Sequence, residues 1–330
     1  LNKEDIMKKK LYIIISLIIL SILLFTSLVQ GSIDITVKEL FEGILGIDIS
    51  NNYEIVRDLR MPRVFIAVLI GANLSIAGVL LQAVIRNPLA DPYVTGISSG
   101  ASLVTVAVMI FMPSIGMMRP ILGFLGGVIS CGVVYIFAYK KELSPIRIVL
   151  VGAAINALFG GFTSMMTTSL GMGASNIQRW LQGSLAAVKW SDVSIILIYS
   201  IIGILLALLL SRSCNILMLG NKNAKSLGIN GDVQMIIITG IAVFLSSIST
   251  SIGGVISFVG LVVPHICRMI IGSDHKYLIP FSGLVGANLL LLADTLGRVI
   301  MKPYEVPVGI IMAIIGAPFF LYILRRSDIK

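Results

Sequence analysis

Ten apolar stretches, separated by short loops that carry most of the charge, decide what this 330-residue chain can fold into. They lie near residues 11–30, 61–85, 97–113, 121–139, 147–170, 193–210, 234–252, 255–271, 278–301 and 306–324. A bilayer core takes about 20 apolar residues per helical crossing, and most of these stretches reach that length. The eighth fits least well. Only 12% of residues are charged, against about 25% in soluble domains, and the mean hydropathy is +1.00. The expectation is an all-α polytopic membrane protein with about ten transmembrane helices, forming a single domain over residues 1–330. An even number of crossings puts both termini on the same side.

The net charge of +9 is a topology signal rather than a nucleic-acid footprint. With ten crossings, sixteen of the 25 Lys and Arg residues fall on the side of the termini and nine on the other. The positive-inside rule then makes the termini cytoplasmic, in a bacterial cell membrane. Lys8–Lys10 before the first stretch resembles a signal-peptide n-region. The run behind it is long for an h-region, however, and no A-x-A site follows, so a retained span is expected. Cys131, Cys214 and Cys267 are too few and too scattered for a disulfide framework and read as small packing residues.

Two loops stand out. Thr36–Gly46 (TVKELFEGILG) reads as a short amphipathic helix, with Thr36 and Glu39 at the spacing of a capping box. Residues 211–234 form the longest cytoplasmic loop; its leucines, broken by Gly220, Gly228 and Gly231, suggest short helices that dock on a cytoplasmic partner. The chain also echoes itself at an offset of 215. Gly71-Ala72-Asn73-Leu74 recurs as Gly286-Ala287-Asn288-Leu289, and Pro88 and Pro92 match Pro303 and Pro307. Inverted repeats are common in transporters, but chance matching among small residues explains the echo as readily. In either case the prolines should interrupt helices.

Signals of chemistry are sparse. His265 and His275 lack a ligand cluster, and no nucleophile elbow occurs. Lys225-Ser226 resembles the end of a phosphate-binding loop, yet that motif needs glycine where the chain has Leu219 and Ala224. Any ATP must therefore be hydrolysed by another subunit. Asp294 is the one clear acid inside a span, and Arg298 lies four residues on, where an ion pair accounts for both. An ion-coupled transporter, which needs ionisable groups along its path, is thus the weaker reading. Arg60, Arg63 and Arg298 run against the charge rule on the outer side. They either snorkel to headgroups or form a basic docking surface for an acidic partner.

LRMPR (59–63) and GANLSIAGVLLQAVIRNPLADPYVTGISSGA (71–101), followed by GGVISFVGLVVPHICR (253–268), LLLADTLGR (290–298) and EVPVGIIMAIIGAPFF (305–320), resemble the FecCD-type permeases of iron–siderophore, haem and cobalamin ABC importers. The resemblance covers nearly the whole chain in order. It implies a type II ABC importer permease: a homo- or heterodimer with a central path, two cytoplasmic ATPase subunits and an extracytoplasmic binding protein that delivers a metal chelate. The chelate would be most simply a ferric siderophore. It further implies that Arg60, Arg63 and Arg298 receive acidic residues of the binding protein. Leu219, Gly220, Ala224, Leu227 and Gly228 would belong to helices that couple to the ATPase. Ser144, Pro145 and Ile146 would lie at the cytoplasmic gate, although Pro145 and Ile146 depart from the small hydroxyl residues of a relative. Trp180 and Gly183 would mark a short outer helix. No cofactor, metal centre or catalytic residue is implied for this subunit.

Overall fold

The computed structural model describes residues 3–31, 35–47, 51–139, 145–220 and 230–326, and their regular structure is helical. In chain order the helices are α1 (Lys3–Val29), α2 (Val37–Ile44), α3 (Asn51–Ile55) and, through a π turn at Val56–Arg60, α4 (Met61–Ile85). Then come α5 (Ile97–Phe111), α6 (Arg119–Ala138), α7 (Pro145–Thr168), α8 (Ser175–Leu181), α9 (Trp190–Leu209) and α10 (Ser211–Met218). The last four are α11 (Gly231–Gly253), α12 (Val259–Ile271), α13 (His275–Val299) and α14 (Val308–Arg326). Among the described residues seven helices are long and apolar enough to cross a membrane, while Ile97–Phe111, Val259–Ile271 and Val308–Tyr322 are shorter apolar helices. Each of the ten expected stretches is helical, but α5 and α12, at 15 and 13 residues, fall short of full crossing length.

The shortfall has a physical cause at α5 and α12. Each follows a partly buried non-helical segment, residues 86–96 and 254–258. Pro88 and Pro92 fall in the first, as the sequence predicted, because proline withholds a donor and clashes with the preceding turn. Unwound backbone at membrane depth is tolerated only where protein satisfies it. Here it does: Ile97 N and Ser98 N donate to Pro92 O, Ser130 Oγ donates to Gly96 O, and Asn156 Nδ2 donates to Tyr93 O. Pro303 and Pro307 likewise sit between helices, after α13.

α4 is the axle of the bundle. Twenty of its 25 residues are buried, as befits a helix that is apolar all round, and it packs on α1, α9, α10, α11, α12 and α13. Its close approach to α13 gives the internal echo a packing reason. Gly71 and Gly286, the first residues of the repeated tetrapeptide, face each other, and a methyl on either would overlap the carbonyl oxygen of the other. Without a hydrophobic drive between helices in lipid, such backbone-to-backbone contact is what holds them. α1, α7 and α9, by contrast, leave most of their apolar surface outward. The capping box at α2 is present: Thr36 Oγ1 accepts from Glu39 N at 3.2 Å and Thr36 N donates to Glu39 Oε2 at 2.8 Å. All three cysteines are free and buried.

Gly71→Ala should therefore separate α4 from α13 and cost about 1–3 kcal/mol, the range for overpacking a filled interface. Gly160→Ala on α7, with no atom within 4 Å of the added carbon, should cost nothing. Thermal unfolding of the two variants in detergent checks the contrast.

Candidate functional site

The three outer arginines come together at one end of the bundle, where α1 and α13 finish and α4 begins. Arg60 closes the π turn, Arg63 lies in the first turn of α4, and Arg298 lies in the last turn of α13. All three are buried, at 7%, 6% and 2% exposure, and each guanidinium has a partner within the chain. Arg63 Nε donates to both oxygens of Asp294, at 2.9 and 3.1 Å, and its Nη1 donates to Glu305 Oε2 at 2.6 Å. Arg298 Nε stands 3.3 Å from Asp294 Oδ2, so one carboxylate is shared by two cations. The expected Asp294–Arg298 pair exists, and it is one edge of a larger network.

The end of α1 explains the remaining contacts. A helix leaves its last four carbonyls without intrahelical donors, and α1 has no basic residue in its last turn. Other elements supply the donors: Arg60 Nη1 reaches Leu28 O and Val29 O at 3.0 and 3.2 Å. Arg298 Nη1 reaches Ser27 O and Gln30 O at 3.1 and 3.2 Å. Two cations at a helix C-terminus also offset its partial negative charge. The three arginines are thus buried and paired within the chain, since desolvated guanidiniums need partners. Glu305, with a side chain 32% exposed, links the network to the surface. Sequence reasoning passed over Glu305; its signal was an acid two residues before a proline, in a loop beside the arginines. Trp180 ends the short helix α8 and donates from Nε1 to Ile252 O at 3.1 Å, packing that helix over the end of α11.

At the opposite end, α10 leads into residues 211–220. Cys214, Ile216 and Leu217 are buried, whereas Met218 and Leu219 are exposed, at 44% and 58%. Gly220 has φ +97°, a left-handed conformation that suits glycine. It stops α10 beside the Arg86 guanidinium at the end of α4. Asn215 ties α10 to the start of α13: its Nδ2 donates to Asp274 Oδ1 at 2.9 Å and its Oδ1 accepts from His275 N at 3.0 Å. Burial opposes ionisation of Asp274, but the Asn215 amide and the Lys276 backbone N–H that donate to it, with the Lys9 charge nearby, outweigh it and hold the carboxyl below its ordinary value. That contribution to stability is present above the unfolded carboxylate pKa and is lost as pH falls through the folded one. Ala224, Leu227, Gly228 and Ser144 lie outside the described residues. Pro145 opens α7, and Ile146 next to it is 72% exposed. The described ones, Leu219, Gly220, Pro145 and Ile146, therefore share the end opposite the arginines.

These features match known proteins over the whole chain. Residues 19–326 match the model of the FecCD transport family. The chain belongs to that family. It is 40% identical over 314 residues, 95% of this chain and 94% of the relative, to the Fe(3+)-citrate import system permease protein YfmD of Bacillus subtilis. It is 36% identical over 321 residues, 97% of both chains, to the "Probable heme-iron transport system permease protein IsdF" of Staphylococcus aureus. Among solved structures, one described as an inward-facing metal-chelate type ABC transporter superposes with a TM-score of 0.82 at 28% identity, covering 96% of this chain and 99% of that one. PsaBC from Streptococcus pneumoniae shares the fold, with a TM-score of 0.59 at 18% identity, over 87% of this chain and 95% of that one.

Asp294→Asn leaves two buried guanidiniums facing a neutral amide and should destabilise the protein by about 3–5 kcal/mol, the cost of breaking a buried pair. Glu305→Gln, which removes a partly solvated partner, should cost at most about 1 kcal/mol. Unfolding midpoints of the two variants against wild type test the ranking.

Proposed function

We propose that this chain is the transmembrane permease subunit of an ABC importer that carries a metal chelate into the cytoplasm by alternating access. The whole-chain match to iron-chelate permeases, at 40% identity across 95% of the chain, carries this reading. In it the arginine end faces outward and receives a soluble binding protein, with both chain termini and α10 on the cytoplasmic side. Arg60, Arg63 and Arg298 meet acidic residues of that protein. Leu219, Gly220, Ala224, Leu227 and Gly228 engage one of two ATPase subunits, while Ser144, Pro145 and Ile146 lie at the inner gate. A second permease copy or a paralogue completes the path. Two observations support the division of labour: an exposed apolar pair, Met218 and Leu219, is offered at one end, and Asn215 and Arg86 tie that end to α13 and α4.

The cargo is read as a ferric chelate, with a siderophore or citrate complex first and haem or cobalamin as alternatives. The permease needs no chemistry of its own. ATP binding by the partners biases the equilibrium between outward- and inward-open states, and a ligand shifts such an equilibrium only by its differential affinity for the two. Ion-coupled transport is the competing class. It is disfavoured because Asp294, the acid buried within α13, is already neutralised by Arg63 and Arg298, while the other buried aspartate, Asp91, accepts from Tyr93 N in the turn before α5.

Reconstitution in proteoliposomes with the ATPase and binding protein separates the two. Uptake of ⁵⁵Fe-citrate or a ⁵⁵Fe-siderophore should require ATP and survive collapse of ion gradients; gradient-driven uptake without ATP refutes the proposal. Leu219→Asp should lower ATP-dependent uptake at least about tenfold by placing a charge in an apolar contact, while leaving binding-protein docking unchanged.

A further inference from the structure

We infer that Glu305 is an internal competitor for the docking site: its carboxylate occupies Arg63, and an incoming acidic group of the binding protein must displace it. The inference rests on the docking role proposed for the arginines and adds a residue that opposes it. Arg63 has two carboxylate partners of different standing. Asp294 has a fully buried side chain, is shared with Arg298 and sits on α13, so no external group reaches it without unpacking the bundle. Glu305 sits in the non-helical segment between α13 and α14, its side chain is about one-third exposed, and its Oε2 lies 2.6 Å from Arg63 Nη1. It offers Arg63 the same chemical group that a partner's glutamate or aspartate would offer. A guanidinium accepts carboxylates in a directional fork, so the two cannot hold the same N–H at once.

Exchange is favoured by the asymmetry of burial. The glutamate end of the pair is partly solvated, so water competes with Arg63 for its carboxylate. Glu305 can therefore turn towards solvent, and the partner's acid recovers the contact with Arg63. Meanwhile Asp294 keeps Arg63 paired throughout, so the guanidinium is never left buried and alone. The device keeps the outer face closed to stray anions and lets a complementary, multivalent acidic surface in.

The test is the affinity of the purified binding protein encoded beside this chain for the permease–ATPase complex in nanodiscs, measured by surface plasmon resonance. Glu305→Gln should tighten docking by about fivefold, chiefly through a faster association rate, as expected for removing a weak competing pair. Glu305→Asp should stay near wild type. Weaker or unchanged docking in Glu305→Gln, with docking still abolished by Arg60→Glu, overturns the competitor role alone. Unchanged docking in Arg60→Glu overturns the docking reading and this inference with it. Unfolding midpoints establish that each variant is folded before its affinity is read.

Discussion

The fold depends on one shared carboxylate. Asp294 is placed between Arg63 and Arg298, with its side chain fully buried, where an unpaired charge would be far too costly to keep. Because Arg63 belongs to α4 and Arg298 to α13, neutralising Asp294 fixes the register of the two helices at the arginine end. Gly71 and Gly286 fix their separation about two turns further in. Once those helices are set, α1 is set too. Its last carbonyls are satisfied by Arg60 and Arg298 rather than by residues of its own. An apolar helix with little buried surface is thereby held at its end by hydrogen bonds, the kind of anchor that lipid cannot compete away.

The same solvent argument governs the irregular segments. Residues 86–96 exist as unwound backbone because hydroxyl and amide side chains of neighbouring helices complete their hydrogen bonds, and just before residues 254–258 the Trp180 indole donates to Ile252 O at the end of α11. The many buried Ser and Thr residues in α5, α6 and α11 belong to this role more than to a polar channel. Ser99, Thr105, Ser246 and Ser249 donate to carbonyls three or four residues back on their own helices.

Most of the helices were legible in the sequence, because a run of twenty apolar residues has few other destinies in a membrane. The span expected at 61–85 coincides with α4, Met61–Ile85. The short helices were less legible, since composition cannot distinguish a buried unwound segment from the end of an apolar helix. The eighth stretch, expected from 255, begins its helix only at Val259, after Phe258 adopts a positive φ. At the arginine cluster the sequence identified the cations and Asp294 but not where the guanidiniums point. Their partners are backbone carbonyls more than 30 residues away in Arg60 and 268 to 271 away in Arg298. No spacing rule encodes such contacts. Glu305 was invisible for the same reason, lying 242 positions from Arg63.

The distribution of burial also limits which parts can move. α4, α11 and α13 bury about two-thirds to three-quarters of their apolar windows inside the chain, whereas α7 buries 22% and α1 11%. Densely packed helices shift only by repacking against every neighbour at once, so the first group behaves as a frame. α7 packs chiefly on α5 and α6. Its free face carries Gly160 and Gly161, with no atom within 4 Å of a β-carbon added at either. A helix with so few internal ties changes tilt at low cost, and a bare glycine face admits another helix or a bulky cargo without rearranging side chains. In the importer reading, alternating access is then motion of α7 against a frame locked by Asp294. In the same reading the ATPase drive would enter through α10, which is tied to that frame at Asn215 and Asp274.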